Sequence, residues 1–435
     1  MFVFLLLPFA AQALDLAEAY KQAEEHDANI RASYAEYRAA IEGQSQSLSA
    51  LLPNLNLNYF LQNSTSDVTN VTGTFPASSS DVDSDGYSVR LTQTIYNQQL
   101  FDLMDRSDAL SSQALASFEA AKQDLIIRLA SAYFNVLDAQ DNLTFATAEK
   151  KTSARLLEQN RERFRVGMLA ITDVKEAQAK YDTSAADEIL AENNLSNARE
   201  ALWVIINNDT SKLNPLKAEI PLVVPEPVDI DAWKNRALDN NLNLRAASYA
   251  LTAANDAYDS SRAGHYPTLN LNAEKRSYSS DGTRLGGPGS SDTDDTTLML
   301  NLTVPIYSGG FTNSKMRESA SKLEQSRALH EKEKRLTVQK TRTAFLGIQA
   351  AISRVIALKQ ALSSTETAVE ATETGYRAGT RTSVDVLQIQ GELFKSERDY
   401  ARSRYDYILN VLELKRSAGI LTPEDIQQIN QWLVH

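Results

Sequence analysis

The chain has 435 residues, no Cys, and 56 acidic against 44 basic side chains, a formal net charge of -12. That length supplies a large core or two domains, and the missing Cys excludes disulfides, thiolate catalysis, zinc-thiolate sites and lipidation of a mature N-terminus. The acidic balance argues against a nucleic-acid partner, whose phosphates would be repelled.

Residues 1–13, MFVFLLLPFAAQA, are apolar and end in Ala11-Gln12-Ala13, the small-residue pattern before a signal-peptidase cut. They read as a signal-peptide remnant without its basic n-region, the alternative being a short buried segment. No later apolar run approaches the 18 or so residues of a spanning helix, so membrane insertion would have to be by strands.

A first repeat, residues 14–207, opens with one helix from Leu14 to Leu51, ended by Pro53. Residues 54–61, NLNLNYFL, set Leu55, Leu57, Tyr59 and Leu61 against Asn54, Asn56, Asn58 and Phe60, which is strand periodicity. Asn63 to Gly86, rich in Ser, Thr and Asp, reads as a solvated loop, and residues 87–96 as the returning strand. Gln98 to Phe164 contains neither Pro nor Gly and forms a helix of about 100 Å.

An apolar ladder in that helix runs Leu110, Ala114, Phe118, Ala121, Leu125, Leu129, Ala132 and Val136. Its steps of four and three are close to an eleven-residue repeat, which implies little left-handed supercoil. Tyr133 and Phe134 beside it are assigned to packing between helices, not to a binding site. A turn at Gly167 follows, then a returning helix to Asn207. Residues 208–228 hold Pro215, Pro221, Pro225 and Pro227, which make a linker.

At Asp229 the pattern starts again. DAWKNRALDNNLNLRAAS answers LAEAYKQAEEHDANIRAS, YPTLNLN answers LPNLNLN, LTVPIYSGGF answers LTQTIYNQQL, and TAFLGI answers SAYFNV. The second repeat, residues 229–417, places strands at about 268–276 and 297–307 around a second polar loop, Ser279 to Thr296. A second long helix then runs to Tyr376, and residues 418–435 form a tail. The turn GYRAGTRTSVDVLQIQ repeats RFRVGMLAITDVKEAQ, pairing Gly379 with Gly167 and Asp385 with Asp173. Each copy reads as a hairpin tip with Gly in the left-handed position after a helix.

Four amphipathic strands per chain cannot remain as isolated hairpins, and in lipid a sheet has to close. Two chains give eight strands and a filled interior; three give twelve and an aqueous pore. Closure by a trimer makes a channel.

The motif LPxLxL, the repeated strand end IY, the two tip sequences and a duplication over nearly the whole chain resemble the TolC family of outer-membrane channel proteins. The resemblance implies a mainly α fold with a β-barrel portion: a homotrimeric, 12-stranded barrel in the Gram-negative outer membrane, continued by a helical periplasmic tunnel. Residues 208–228 and 418–435 would form a belt at mid-height. It further implies an exit duct for drug efflux or type I secretion, with no cofactor, docked at its tips by a periplasmic adaptor protein and driven by an inner-membrane efflux or ABC transporter. Asp385 matches the acidic ring that narrows the tunnel, while Gln388 stands where the family has a second Asp. Tyr376 and Arg381 match donors that pin the tunnel shut, with Thr172 and Asp173 as partners. Three Asp385 carboxylates in one ring would repel, lifting at least one titration.

Two other readings stand beside this one. Thr382 and Asp385 fit a helix N-cap and its third position, and Asp173 fits the same local use. A non-conducting structural or adhesive trimeric stalk would also suit long helices and acidic loops. An enzyme is disfavoured: no phosphate loop or nucleophile elbow is visible, and His26, His265, His330 and His435 are scattered.

Overall fold

The structure, a computed structural model, describes residues 13–69, 78–208, 210, 212–284 and 287–434. The signal-peptide reading therefore lies, but for Ala13, outside the described residues, as does 70–77 of the first polar loop. The elements are α1 (Leu16–His26), α2 (Ala28–Ser49), β1 (Asn54–Val68), β2 (Ser78–Tyr96), α3 (Gln98–Arg165) and α4 (Ile171–Ile206), then α5 (Ile230–Asn240), α6 (Leu242–Ala263), β3 (Thr268–Arg284), β4 (Gly287–Thr303), α7 (Phe311–Arg377), α8 (Ser383–Ser417) and α9 (Pro423–Asn430). They form two compact units, one of residues 36–115 and 246–330, the other of the remaining chain.

The first unit holds one antiparallel sheet in the order β1-β2-β3-β4. Its strands extend beyond the alternating segments read from sequence. Where the supposed loops 63–86 and 279–296 are described, residues 63–68, 78–86, 279–284 and 287–296 continue the ladder, with Asn63 opposite Asp83, Asp67 opposite Ser79 and Ser279 opposite Asp292. Backbone pairing does not require apolar side chains, and Ser and Thr fit a pleated surface. Polarity here does not mark loop. β4, expected to reach 307, stops at Thr303 because Pro305 has no N–H to give the ladder.

The sheet has two unlike faces. Leu55, Leu57, Tyr59 and Leu61 are 62–75% exposed, and Leu298, Leu300 and Leu302 are 63–74% exposed. The other face carries the Arg90–Glu274 ion pair (3.0 Å) and Arg276 over the rings of Phe60 and Tyr278. Between those rings lies Gly86, where a Cβ would sit 2.5 Å from that of Tyr278.

The second unit is helical. Tyr133 and Phe134 are fully buried, edge to face at 5.8 Å, and Phe134 stacks on Tyr405 at 5.5 Å, so this aromatic pair is packing. The Tyr133 hydroxyl meets the carbonyls of Leu14 (3.0 Å) and Asn214 (2.9 Å). Short bridges join Leu14 to Leu213 and Leu216 to Leu433, tying the Pro-rich segment to both ends of the described chain.

Along α3, Leu125, Leu129, Ala132 and Val136 are buried, but Leu110 is 38% exposed, and Ala109 and Ala116 are buried in its place. The expected ladder advances slightly faster than the 3.6-residue turn, and over its seven steps its upper end swings out by roughly a quarter-turn. α7 contains an 18-residue window of mean hydropathy 1.2, only 22% buried, within a helix of 67 residues. The sequence reading finds no spanning helix; this window is at the margin, and its exposed Leu346 and Ile356 bear on assembly below.

The single N-terminal helix expected from Leu14 to Leu51 is two. Asp27, in an extended conformation, ends α1 and caps α2, its Oδ1 accepting from Ile30 N (2.9 Å). Arg128 grips the same carboxylate with two bonds of 2.9 and 3.1 Å. Burial pushes the Asp27 carboxyl up, yet the Arg128 and Ile30 bonds outweigh it and hold it below the ordinary aspartate value. The second repeat breaks at the matching place, Asn241, which caps Leu244 N at 3.0 Å but carries no charge.

Replacing Asp27 by Asn, the residue the second repeat uses, should keep the cap and lose the ion pair, whereas Asp27→Ala should lose both. The expected cost of Ala is about 3 kcal/mol or more, and of Asn distinctly less. Because the carboxyl is depressed, its contribution is complete above about pH 4 and fades as pH falls through the lower folded value. Apparent Tm in detergent ranks the variants; equal losses would remove the cap from the argument.

Candidate functional site

The two helix hairpins end in the same turn. Met168 N donates to Arg163 O (2.8 Å) and Gly167 N to Phe164 O (2.9 Å); Thr380 N donates to Gly375 O (2.9 Å) and Gly379 N to Tyr376 O (3.1 Å). Gly167 and Gly379 take φ of +77° and +78°, closing a Schellman motif that satisfies the last carbonyls of α3 and α7.

Behind the turns, Leu156, Leu157, Ala177, Tyr376, Val386 and Leu387 form a small apolar cluster of their own. Fully buried beside it is Asn160. The Tyr376 hydroxyl donates to Asn160 Oδ1 (3.1 Å), and Asn160 Nδ2 donates to the carbonyl of Asp173 (3.3 Å). Ser383 Oγ then donates to Asp173 Oδ1 (3.2 Å). This chain of bonds links α7, α3, α4 and α8 in turn. An amide suits the middle place because it accepts and donates at once. Arg163 covers the Tyr376 ring at 4.6 Å.

Within the chain the Tyr376 hydroxyl bonds to Asn160, not to Thr172 or Asp173. Asp173 accepts from Ser383 instead, and Thr172 is exposed. Arg381 is exposed and forms no ion pair among the described residues; its stem folds over Gly375, where a Cβ would be 2.8 Å from its Cγ.

Asp385 completes a capping box with the N-cap Thr382. Its Oδ2 accepts from Thr382 N and from Thr382 Oγ1, both at 2.9 Å, while its own N–H donates to Thr382 Oγ1 (3.2 Å). The bond from the Thr382 backbone, then that from its hydroxyl, hold the carboxyl below the ordinary aspartate value, with Arg381 adding a smaller pull. Asp173 has no such cap: Ala170 takes the N-cap place without a side-chain bond, which frees the Asp173 carboxylate for Ser383.

One turn along α8, exposed Gln388 shares a 440 Å³ recess with Lys180, Lys395 and Arg398. Lys180 (2.6 Å) and Arg398 (3.4 Å) both contact buried Glu149. On the other side of α8 a larger groove of 890 Å³ is lined by Arg155, Glu158, Glu162, Arg163, Glu373 and Arg377. Sequence reasoning missed Asn160 and Ser383. The signal for Asn160 was a polar residue on the apolar line of Leu156 and Leu157.

A family model described as outer membrane efflux protein matches residues 19–208 and 233–420, one match to each repeat. The outer membrane protein TolC of Vibrio cholerae serotype O1 is 36% identical over 427 residues, 98% of this chain and 95% of that relative. The chain belongs to the outer membrane efflux protein family. The alkaline protease secretion protein AprF of Pseudomonas aeruginosa is 27% identical, over 98% of this chain and 88% of its own. Among solved structures, the Campylobacter jejuni CmeC outer membrane channel superposes with a TM-score of 0.80 at 16% identity, covering 96% of this chain and 90% of that one. Membership of the outer membrane efflux protein family fixes both the location and the fold, the TolC-like channel protomer of long paired helices and a four-stranded sheet.

In this efflux-family chain the tip should respond as one unit. Tyr376→Phe and Asn160→Ala each remove the same bond, worth about 1 kcal/mol, so the double variant should cost little more than Asn160→Ala alone. Amide exchange in residues 160–176 and 373–390 should speed up several-fold. Additive effects would show that the two side chains act separately.

Proposed function

We propose that this chain is the outer-membrane exit duct of a tripartite efflux pump or type I secretion system, assembled as a homotrimer. The observation that carries the reading is the sheet: its leucine-lined face is exposed and both of its edges are open. In lipid an open edge leaves backbone groups without partners, so the sheet is completed by further copies. Three copies give twelve strands and a water-filled pore. The similarity to TolC and to the protease secretion protein AprF supports both kinds of export.

The Gly167 and Gly379 turns are the docking points for a periplasmic adaptor, supported by their exposure and the mixed-charge groove beside them. An inner-membrane efflux or ABC transporter supplies the energy. Residues 208–228 and 418–435 form the belt. Asp385 supplies one carboxylate per copy to a constriction and Gln388 none, while Tyr376, Arg381, Thr172 and Asp173 hold the closed tip. A non-conducting stalk is the alternative, and it passes no current.

In a planar bilayer we expect cation preference and block by trivalent or hexaammine cations, because converging carboxylates focus the field. Asp385→Asn, whose amide oxygen still accepts from Thr382, should abolish block without loss of the cap; Gln388→Asp should strengthen it. Since the cap depresses the Asp385 carboxyl, block should persist through about pH 4, the ordinary aspartate value, and be lost only at lower pH. Anion preference, or block unchanged in Asp385→Asn, would place selectivity elsewhere.

A further inference from the structure

The duplication specifies how neighbouring copies pair. The strand segments repeat with fixed offsets: Leu55 and Leu57 recur 214 residues later as Leu269 and Leu271, and Leu91 and Tyr96 recur 211 residues later as Leu302 and Tyr307. These offsets carry the register of one hairpin onto the other. Asn54 faces Thr92 in the first, and the shifted pair, Thr268 and Thr303, is the pair found in the second. Leu61 facing Asp85 likewise becomes Lys275 facing Thr296. The sheet is one hairpin written twice, and its central seam, β2 with β3, shows how the end of one hairpin meets the start of the next.

We infer that β4 of one copy pairs with β1 of the next in the register of the β2–β3 seam, so that Thr296 faces Thr65 and Leu302 faces Tyr59 of the neighbour. In the seam Leu91 faces Ala273 and Asp85 faces Ser279. Leu91 moved forward by 211 is Leu302, and Ala273 moved back by 214 is Tyr59; Asp85 and Ser279 become Thr296 and Thr65. Val89 opposite Lys275 becomes Leu300 opposite Leu61. The new seam joins Leu302, Tyr59, Leu300 and Leu61, each more than 60% exposed in the single chain. A slip of one residue would turn these side chains to the polar face. A slip of two would keep the faces and is the competitor to be tested.

The helical unit independently points to a second copy. Within the chain α3 meets α8 through Asp124–Arg416 (3.1 Å), Asp138–Arg402 (3.2 Å) and Phe134 stacked on Tyr405. The helices repeat with an offset of 212, as Phe164 and Tyr376 do. The counterparts are Leu336 with Val204, Ala350 with Leu190, and Leu346 with Asn193. Val204, Leu190 and Leu346 are 71%, 59% and 55% exposed. Positions that carry ion pairs inside the chain are thus apolar where they are open, and α7 takes α4 of the neighbouring copy.

This inference rests on the closed-barrel reading, and the absence of native Cys makes it directly measurable. Thr296→Cys is combined with Asn63→Cys, Thr65→Cys or Asp67→Cys, the variants are oxidised in outer membranes, and covalent trimer is followed on non-reducing gels. A disulfide needs Cβ atoms about 3.5–4.5 Å apart, which directly opposed residues reach and diagonal neighbours, at about 7–8 Å between their Cα atoms, do not. Linkage should be at least several-fold faster with Thr65→Cys than with either flanking variant. Fastest linkage at 63 or 67 in a protein that light scattering shows to be trimeric would overturn the register alone. A folded monomer in detergent would overturn the closed barrel with it.

Discussion

An antiparallel sheet that ends in two long unpaired strands leaves a row of backbone N–H and C=O groups open along β1 and β4. Water can satisfy such groups; hydrocarbon cannot. The same sheet presents leucines outward on both edge strands, which suits hydrocarbon and not water. Neither solvent completes the single chain, and the conflict is relieved only when the open edges meet other edges. Because each hairpin is a copy of the other, the last strand of one chain offers the first strand of the next the geometry already used once inside the sheet.

The helices obey the same logic with different chemistry. Inside the chain, the contact of α3 with α8 combines stacked rings with ion pairs, and these cations are held by well-formed carboxylate bonds. The repeat counterparts of the ion-paired residues, on α4 and α7, are leucine, valine and alanine, side chains that need no directional partner. The exposed α7 window, apolar enough to sit at the margin of a membrane span, is better explained by a helix partner than by lipid, since it lies within one continuous 67-residue helix.

At the tips the two repeats have diverged, and the divergence has physical content. Thr382 caps α8 where Ala170 leaves α4 uncapped. Tyr376 brings a hydroxyl where the first repeat has Phe164, and Asn160 receives it in a site without water-facing alternatives. A buried amide with both ends satisfied tolerates little displacement, since any shift leaves a polar group without a partner. The tip therefore has one preferred arrangement, set by hydrogen bonds and not by the small apolar cluster around it.

Local pattern carried the duplication, the long helices, the glycine turns and the strand faces, because 3.6-residue and two-residue periodicities and left-handed glycines are properties of a few neighbouring residues. The Asp385 cap was legible for the same reason: Thr382 and Asp385 stand three apart. What the sequence could not decide involved distant partners. The breaks at Asp27 and Asn241 look like ordinary helix until Arg128 and Ser417 arrive from elsewhere in the chain. The strands run on through Ser, Thr and Asp because a neighbouring strand supplies the hydrogen bonds, and a polar run carries no sign of its neighbour. Asn160, 216 residues from Tyr376, became a site only when folding brought both to one place, where burial turned an ordinary amide into the group that two helices must satisfy.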